Sequence, residues 1–225
     1  STITVNGNWN SSAGTFTYGT STLVFAASGS IAVAGVEGTT NVYNLTVNLG
    51  VTLTLTANNV GVTNIATVNG TIAGVNNYFY VGVNNGTIPS NPLTLGGSGS
   101  VSGIFGVVFA YLSTGNYNIP GTTYGHIWIR GTGVATLGGN LTVTSYIRMD
   151  SGSVGFVAGA NTVVAGEFIL NAIAPLDYVT SLSAGSWTVS GAWTNASTSA
   201  SWSFAAPITF NAGVATTLTF AGTNL

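Results

Sequence analysis

Apolar and polar residues alternate with a period of two along most of this chain. In Val51-Thr52-Leu53-Thr54-Leu55-Thr56 the aliphatic side chains fall on one side of an extended strand and the threonines on the other. The same alternation runs through Asn44-Leu45-Thr46-Val47-Asn48, Leu141-Thr142-Val143-Thr144, Trp187-Thr188-Val189-Ser190 and Thr217-Leu218-Thr219-Phe220. Turn dipeptides separate such runs: Asn69-Gly70, Asn85-Gly86, Gly96-Gly97 and Gly138-Gly139. Lysine is absent and Glu, Gln, Arg and Met are rare or missing, while Val, Thr, Ile, Tyr and Phe abound. The pattern predicts an all-β fold with essentially no helix.

The runs are organised into repeats. Residues 38–84 and 121–168 align: Thr54-Leu55-Thr56-Ala57-Asn58, Ile65 and Asn69-Gly70-Thr71-Ile72 match Thr136-Leu137-Gly138-Gly139-Asn140, Ile147 and Ser151-Gly152-Ser153-Val154. The ends match each other too, over 1–25 and 185–210. Thr4-Val5-Asn6-Gly7-Asn8-Trp9 parallels Thr188-Val189-Ser190-Gly191-Ala192-Trp193. A single elongated domain over 1–225 is expected.

Several phrases resemble repeats of large secreted, adhesin-like surface proteins of bacteria and archaea. They are Val5-Asn6-Gly7-Asn8-Trp9-Asn10, Gly14-Thr15-Phe16-Thr17, Thr22-Leu23-Val24-Phe25, Tyr43-Asn44-Leu45-Thr46-Val47 and Leu137-Gly138-Gly139-Asn140-Leu141-Thr142-Val143. That resemblance is compositional and weakest around Asn76 to Ile119. It implies a β-solenoid, a surface location and a structural or adhesive role, and it brings no catalytic residues with it. The alternative architecture is a jelly-roll or immunoglobulin-like sandwich, as in extracellular filament subunits that donate a terminal strand to a neighbour. Strands about 8–12 residues apart suit both.

Composition narrows the function classes. Apolar residues make up 45% of the chain, enough to form a core despite the low-complexity appearance. Only 3% of residues are charged, where about a quarter is usual. A net charge of -2 gives little mutual repulsion and favours association. Two arginines and no lysine cannot build a phosphate-binding surface, so nucleic acid is not an expected partner. Without cysteine there is neither a disulfide framework nor a thiolate metal site. The longest apolar run, about Ile104 to Leu112, falls short of the roughly 20 residues of a membrane-spanning helix. Alternating strands also suit a transmembrane barrel, but the scarcity of charge argues against a polar lumen. A first residue of Ser1 fits a secreted product freed of its signal peptide, and an extracellular or cell-surface location is expected.

Candidate chemistry is sparse. Arg130, Arg148 with Asp150, and Glu167 recur about every 18–19 residues, a plausible coil length, and are expected to stack as a structural ion ladder. A polysaccharide-cleaving site in their place would need more carboxylates than Asp150 and Glu167. His126 has no second histidine, so zinc is not expected, and it reads as a half-exposed strand residue. Gly96-Gly97-Ser98-Gly99-Ser100 is not a phosphate loop, because neither lysine nor helix follows. No catalytic, cofactor-binding or metal-binding residue is assigned, no cofactor is expected, and the chain is not expected to be an enzyme.

Aromatic clusters offer a binding reading. Trp187, Trp193 and Trp202, and the triplet Tyr78-Phe79-Tyr80, suit either stacking on glycans or core packing, with packing the first expectation. Sequons stand at Asn10, Asn44, Asn69, Asn85, Asn140 and Asn195. A chain so rich in Asn, Ser and Thr carries that many by chance. The end strands Thr2, Ile3, Thr4, Val5 and Thr217, Leu218, Thr219, Phe220 lack charged caps, so they are the expected assembly strands of a head-to-tail homopolymer. The first functional expectation is a self-assembling subunit of an extracellular filament, sheath or surface layer. The second is an adhesin or carbohydrate-binding segment of a larger surface protein. A far-ultraviolet circular dichroism spectrum is predicted to show β structure alone; a substantial helical component would refute the fold class.

Overall fold

The structure, a computed structural model, describes residues 1–14, 16–35, 38–149, 154–170, 178–180, 185–195, 201–202, 208–211 and 218–220. Asp150 and Thr217 lie outside them, and for Asn195, Trp202 and Leu218 to Phe220 only the backbone is described. The described residues form a β-solenoid and contain no helix. Each coil hydrogen-bonds to the next, and the registered strand pairs are parallel throughout. A jelly roll or immunoglobulin-like sandwich is built from antiparallel strands, so that alternative does not describe this chain.

Three sheets run along the stack. The first carries Thr2–Val5, Thr22–Phe25, Asn44–Val47, Ala66–Val68 and Leu93–Leu95. Further along the axis a second takes over, made of Tyr117–Ile119, Gly133–Leu137, Val154–Val157, Tyr178–Thr180 and Ser201–Trp202. The two meet where Asn118 donates its backbone N–H to Ser90 O (2.8 Å) and its side-chain amide to Asn91 Oδ1 (3.0 Å). The third sheet has fourteen strands and extends from Trp9–Ser11 to Ile208–Phe210. Its long strands Ser100–Phe109 and Leu141–Met149 each have two halves, separated by register shifts at Ile104 to Gly106 and Val143 to Tyr146. Other coils replace one long strand by two short ones, such as Trp187–Val189 and Trp193–Asn195.

Stacking copies the alternation from coil to coil. Val60, Phe79, Val107, Ile127, Ile147, Phe168 and Trp193 follow one another in register, and all point into one continuous core. Two residues further on, Val62, Val81, Phe109, Ile129, Met149 and Leu170 form a second inward column. The period-two rule works here because a strand turns successive side chains to opposite faces. A parallel in-register stack then requires every coil to place apolar residues at the same positions.

The corners are tied by asparagines. Asn8, Asn41, Asn116 and Asn140 each use Oδ1 to accept a backbone N–H one coil on, from Ser30, Gly61, Val134 and Thr162 (2.8–3.0 Å). Asn58 and Asn161 instead donate their amides to Val33 O (2.8 Å) and Leu137 O (3.1 Å) one coil back. Backbone groups that leave the ladder at a turn are thereby satisfied without any charge.

Burial predicts unequal responses within the strand Val163–Leu170. Phe168 is fully buried against Trp187 and Trp193, with ring centroids 5.4 and 4.5 Å away, whereas Val164 is 38% exposed. Phe168→Ala is expected to cost about 3–5 kcal/mol in denaturant unfolding and Val164→Ala less than about 1 kcal/mol. Equal losses would contradict this core.

Candidate ligand-binding face

Large side chains also collect on the outer surface, on the second half of the fourteen-stranded sheet. Between the two inward columns, Tyr80, Val108, Trp128, Arg148 and Ile169 follow in register on successive coils and point outward. Beside them Tyr78 is level with Gly106, and Tyr146 with Glu167. Tyr80 and Val108 are buried although they lie outside the core, because Tyr78, Tyr111 and Trp128 pack over them as a separate apolar cluster.

Two stacks of rings and cations make up the face. In one, the Arg130 guanidinium lies over Tyr111 (4.4 Å to the centroid) and Trp128 (4.6 Å), and that of Arg148 lies over Trp128 (4.7 Å). Half-exposed cation–π contacts of this kind contribute about 0.5–2 kcal/mol each. In the other, Phe105 meets Tyr78 edge-on (4.9 Å) and His126 at a tilt (4.1 Å), and His126 continues onto Tyr146 (4.2 Å). The hydroxyls of Tyr78 and Tyr146 are 2.8 Å apart, a hydrogen bond across the coils between them. That closure depends on Gly106, where a Cβ would lie 2.7 Å from His126 Cβ and 3.1 Å from the Tyr78 ring.

Tyr111 is delivered by a strained loop. Ala110 (φ 60°) and Leu112 (φ 55°) flank it in the left-handed region, which costs a residue with a Cβ about 1–3 kcal/mol. Neighbouring contacts hold the loop. Asn84, itself at φ 49°, donates its N–H to Tyr111 O (3.0 Å), and Ser113 Oγ donates to Gly82 O (2.5 Å). Gly38 faces the Tyr111 ring so closely that any Cβ there would overlap it.

Burial sets the electrostatics. It holds the His126 imidazole below its ordinary pKa, and His126 Nδ1 is buried with no hydrogen-bond partner among the described residues. Desolvation, and then the hydrogen bond with Tyr146, push the Tyr78 phenol above its usual range. The Tyr78 phenol therefore does not ionise near neutrality, and its hydroxyl remains both donor and acceptor.

Residues singled out from the sequence divide among several places. Arg130, Arg148 and Glu167 share this outer face, but Arg148 aligns with Trp128 and Ile169, and Glu167 aligns with Tyr146. Asp150 lies outside the described residues. Trp187 and Trp193 are core residues, 0% and 2% exposed, and Phe79 is buried in the core between the outward-facing Tyr78 and Tyr80. Sequence reasoning missed Phe105, Tyr111, Trp128 and Tyr146. A signal was available for three of them: Phe105, Trp128 and Tyr146 lie on strands, where each puts an aromatic at an outward position that alternation reserves for polar residues.

The sequons are not equivalent. Asn10 is exposed, and its Oδ1 caps its own turn by accepting from Ser12 N (3.0 Å) and Oγ (2.7 Å). Asn140 is exposed as well and ties its coil to Thr162. Asn44 is half-buried between Thr22 Oγ1, Asn64 and the Ile65 N–H. Asn69 and Asn85 are also half-buried. Thr2–Val5 pairs with Thr22–Phe25, and Leu218–Phe220 with Trp193–Asn195. Among the described residues there is no cluster of three potential metal ligands, and no helix long and apolar enough to cross a membrane.

No family model matches the chain, and no curated protein or solved structure is significantly similar to it. The β-solenoid architecture and the aromatic–arginine face are therefore what define the class of this protein.

The depressed His126 pKa predicts a pH dependence. Below about pH 6.5 the unfolded chain binds a proton at His126 that the folded chain does not, so stability falls as pH drops through the window between the two pKa values. His126→Phe is expected to flatten this slope in urea titrations between about pH 7.5 and 5. An unchanged slope would show that the imidazole is not the responsible group.

Proposed function

We propose that the chain is a structural element of an extracellular filament, sheath or surface layer, acting as a stiff rod and not as a catalyst. The observation that carries this reading is the edge of the stack at Thr2–Val5. Ser1 O and Val5 O accept N–H groups from Thr22 and Ala26 on the neighbouring coil (2.9 and 3.0 Å). A parallel strand points alternate residues to opposite edges, so Thr2 and Thr4 aim their N–H and C=O groups away from that neighbour. Such an edge is a template for another coil. Further polypeptide or a second copy of the chain satisfies it equally, and each lengthens the rod.

Surface chemistry supports the same reading. Outward positions are mostly Thr, Ser and Asn, and the net charge of -2 opposes association weakly. Contact between one copy's first coil and another's last is heterologous and does not close, which gives a filament. In such a contact Leu218–Phe220, which belongs to the fourteen-stranded sheet, would meet the first strand of that sheet, Trp9–Ser11, beside the Thr2–Val5 edge. An adhesive role within a larger surface protein is the second reading, favoured by the aromatic face.

The double variant Thr2→Pro/Thr4→Pro removes two edge N–H donors without touching the core. It is expected to keep the β spectrum and to abolish fibres in electron micrographs of concentrated protein. Wild-type protein that stays monomeric at high concentration, or a variant that polymerises normally, would contradict self-assembly through this edge.

A further inference from the structure

We infer that the aromatic–arginine face binds an extended, uncharged polysaccharide lying along the solenoid axis. The face carries the three elements that sugar recognition needs. Apolar ring surface is supplied by Phe105, which is 37% exposed, and by the half-exposed Tyr78, Tyr111, Trp128 and Tyr146. Donors are supplied by the guanidinium groups of Arg130 and Arg148, spread over the Tyr111 and Trp128 rings. Acceptors are supplied by the exposed Glu167 carboxylate, level with Tyr146 on the next coil, and by the paired hydroxyls of Tyr78 and Tyr146. Pyranose rings present C–H faces that stack on aromatics and hydroxyl edges that both donate and accept.

Charge selects among polymers. Both of the chain's cations stand on this face, together with Glu167. The guanidinium groups lie over aromatic rings and the carboxylate stands one coil on, so the face offers donors and acceptors with only one positive charge left unmatched. An acidic polymer gains little there, whereas a neutral one meets both halves of its hydroxyl chemistry.

Geometry selects an extended chain. Successive coils are about 4.8 Å apart, so the strands from Tyr78 to Glu167 span about 19 Å in four steps. A run of several sugars laid along the axis fits that length. The face is also built in advance. The left-handed residues on either side of Tyr111, the Tyr78–Tyr146 hydrogen bond and the tight approach at Gly106 fix the rings before any ligand arrives, which lowers the cost of binding.

Affinity electrophoresis of the intact chain, in native gels containing soluble glucan, mannan, galactan or xylan, tests this. Retardation by at least one of the four is expected, and high salt should leave it unchanged. Phe105→Ser and Arg148→Gln should each weaken it about tenfold with the β spectrum retained. Leu49→Ser, a 73% exposed leucine at a distant corner, should bind as the wild type does. Retardation by none of the four polymers overturns the inference. So does binding confined to alginate and abolished by salt, a loss no larger in the face variants than in Leu49→Ser, or unaltered binding by both face variants.

Discussion

Parallel, in-register hydrogen bonding between successive coils is the interaction on which the rest of this molecule depends. Each strand uses one edge for the coil before and the other for the coil after. Because the register is kept, the column from Val60 to Trp193 must stay apolar at every step, and the column from Val62 to Leu170 likewise. A polar residue at any of these positions is buried without a partner. The same rule explains the aromatic face. Outward positions are stacked just as regularly, so Tyr80, Val108, Trp128 and Arg148 are brought together by the ladder and not by any local motif.

Near-absence of charge follows from the same constraint. In a stack, identical charges at equivalent positions repel across about 4.8 Å. Asparagine avoids that penalty, since its amide both donates and accepts. Asn41, Asn58, Asn140 and Asn161 fasten one coil to the next at corners where the ladder is interrupted. The two arginines are accommodated where aromatic rings, which are not repeated at every coil, offer a face to each guanidinium.

Much of the fold was legible because period-two alternation is a local signal. Thr22–Phe25, Asn44–Val47, Thr52–Leu55 and Trp187–Val189 are strands at the positions the alternation picked out. The site was much less legible, because it depends on which residues become neighbours one coil apart. Coil length varies, with 18 residues between Tyr117 and Ala135 and 29 between Thr71 and Ser100. A spacing of 18 from Arg130 to Arg148 suggests one column, but the coil from Ile127 to Ile147 takes 20 residues, so Arg148 falls beneath Trp128. Trp187 and Trp193 leave glycan stacking and core packing both open in sequence, with packing expected first; the ladder decides for packing, since each continues an inward column, after Val163 and Phe168 respectively. Tyr111 belongs to no strand, and its place is set by contacts with Gly38 and Asn84 that no periodicity reports.

In-register parallel stacking can be measured directly. The chain has no cysteine, so cysteines placed at chosen positions can carry nitroxide labels without background. Val24, Thr46 and Thr67 are consecutive members of one outward column of the first sheet. Labels at Thr46 and Thr67 should lie one coil apart, about 5 Å between backbones, and give a strongly dipolar-broadened electron paramagnetic resonance spectrum. Labels at Thr46 and Thr142, many coils apart, should give sharp lines. Sharp lines from the Thr46 and Thr67 pair would contradict the stacked-coil fold, and with it the column of residues that makes the outer face.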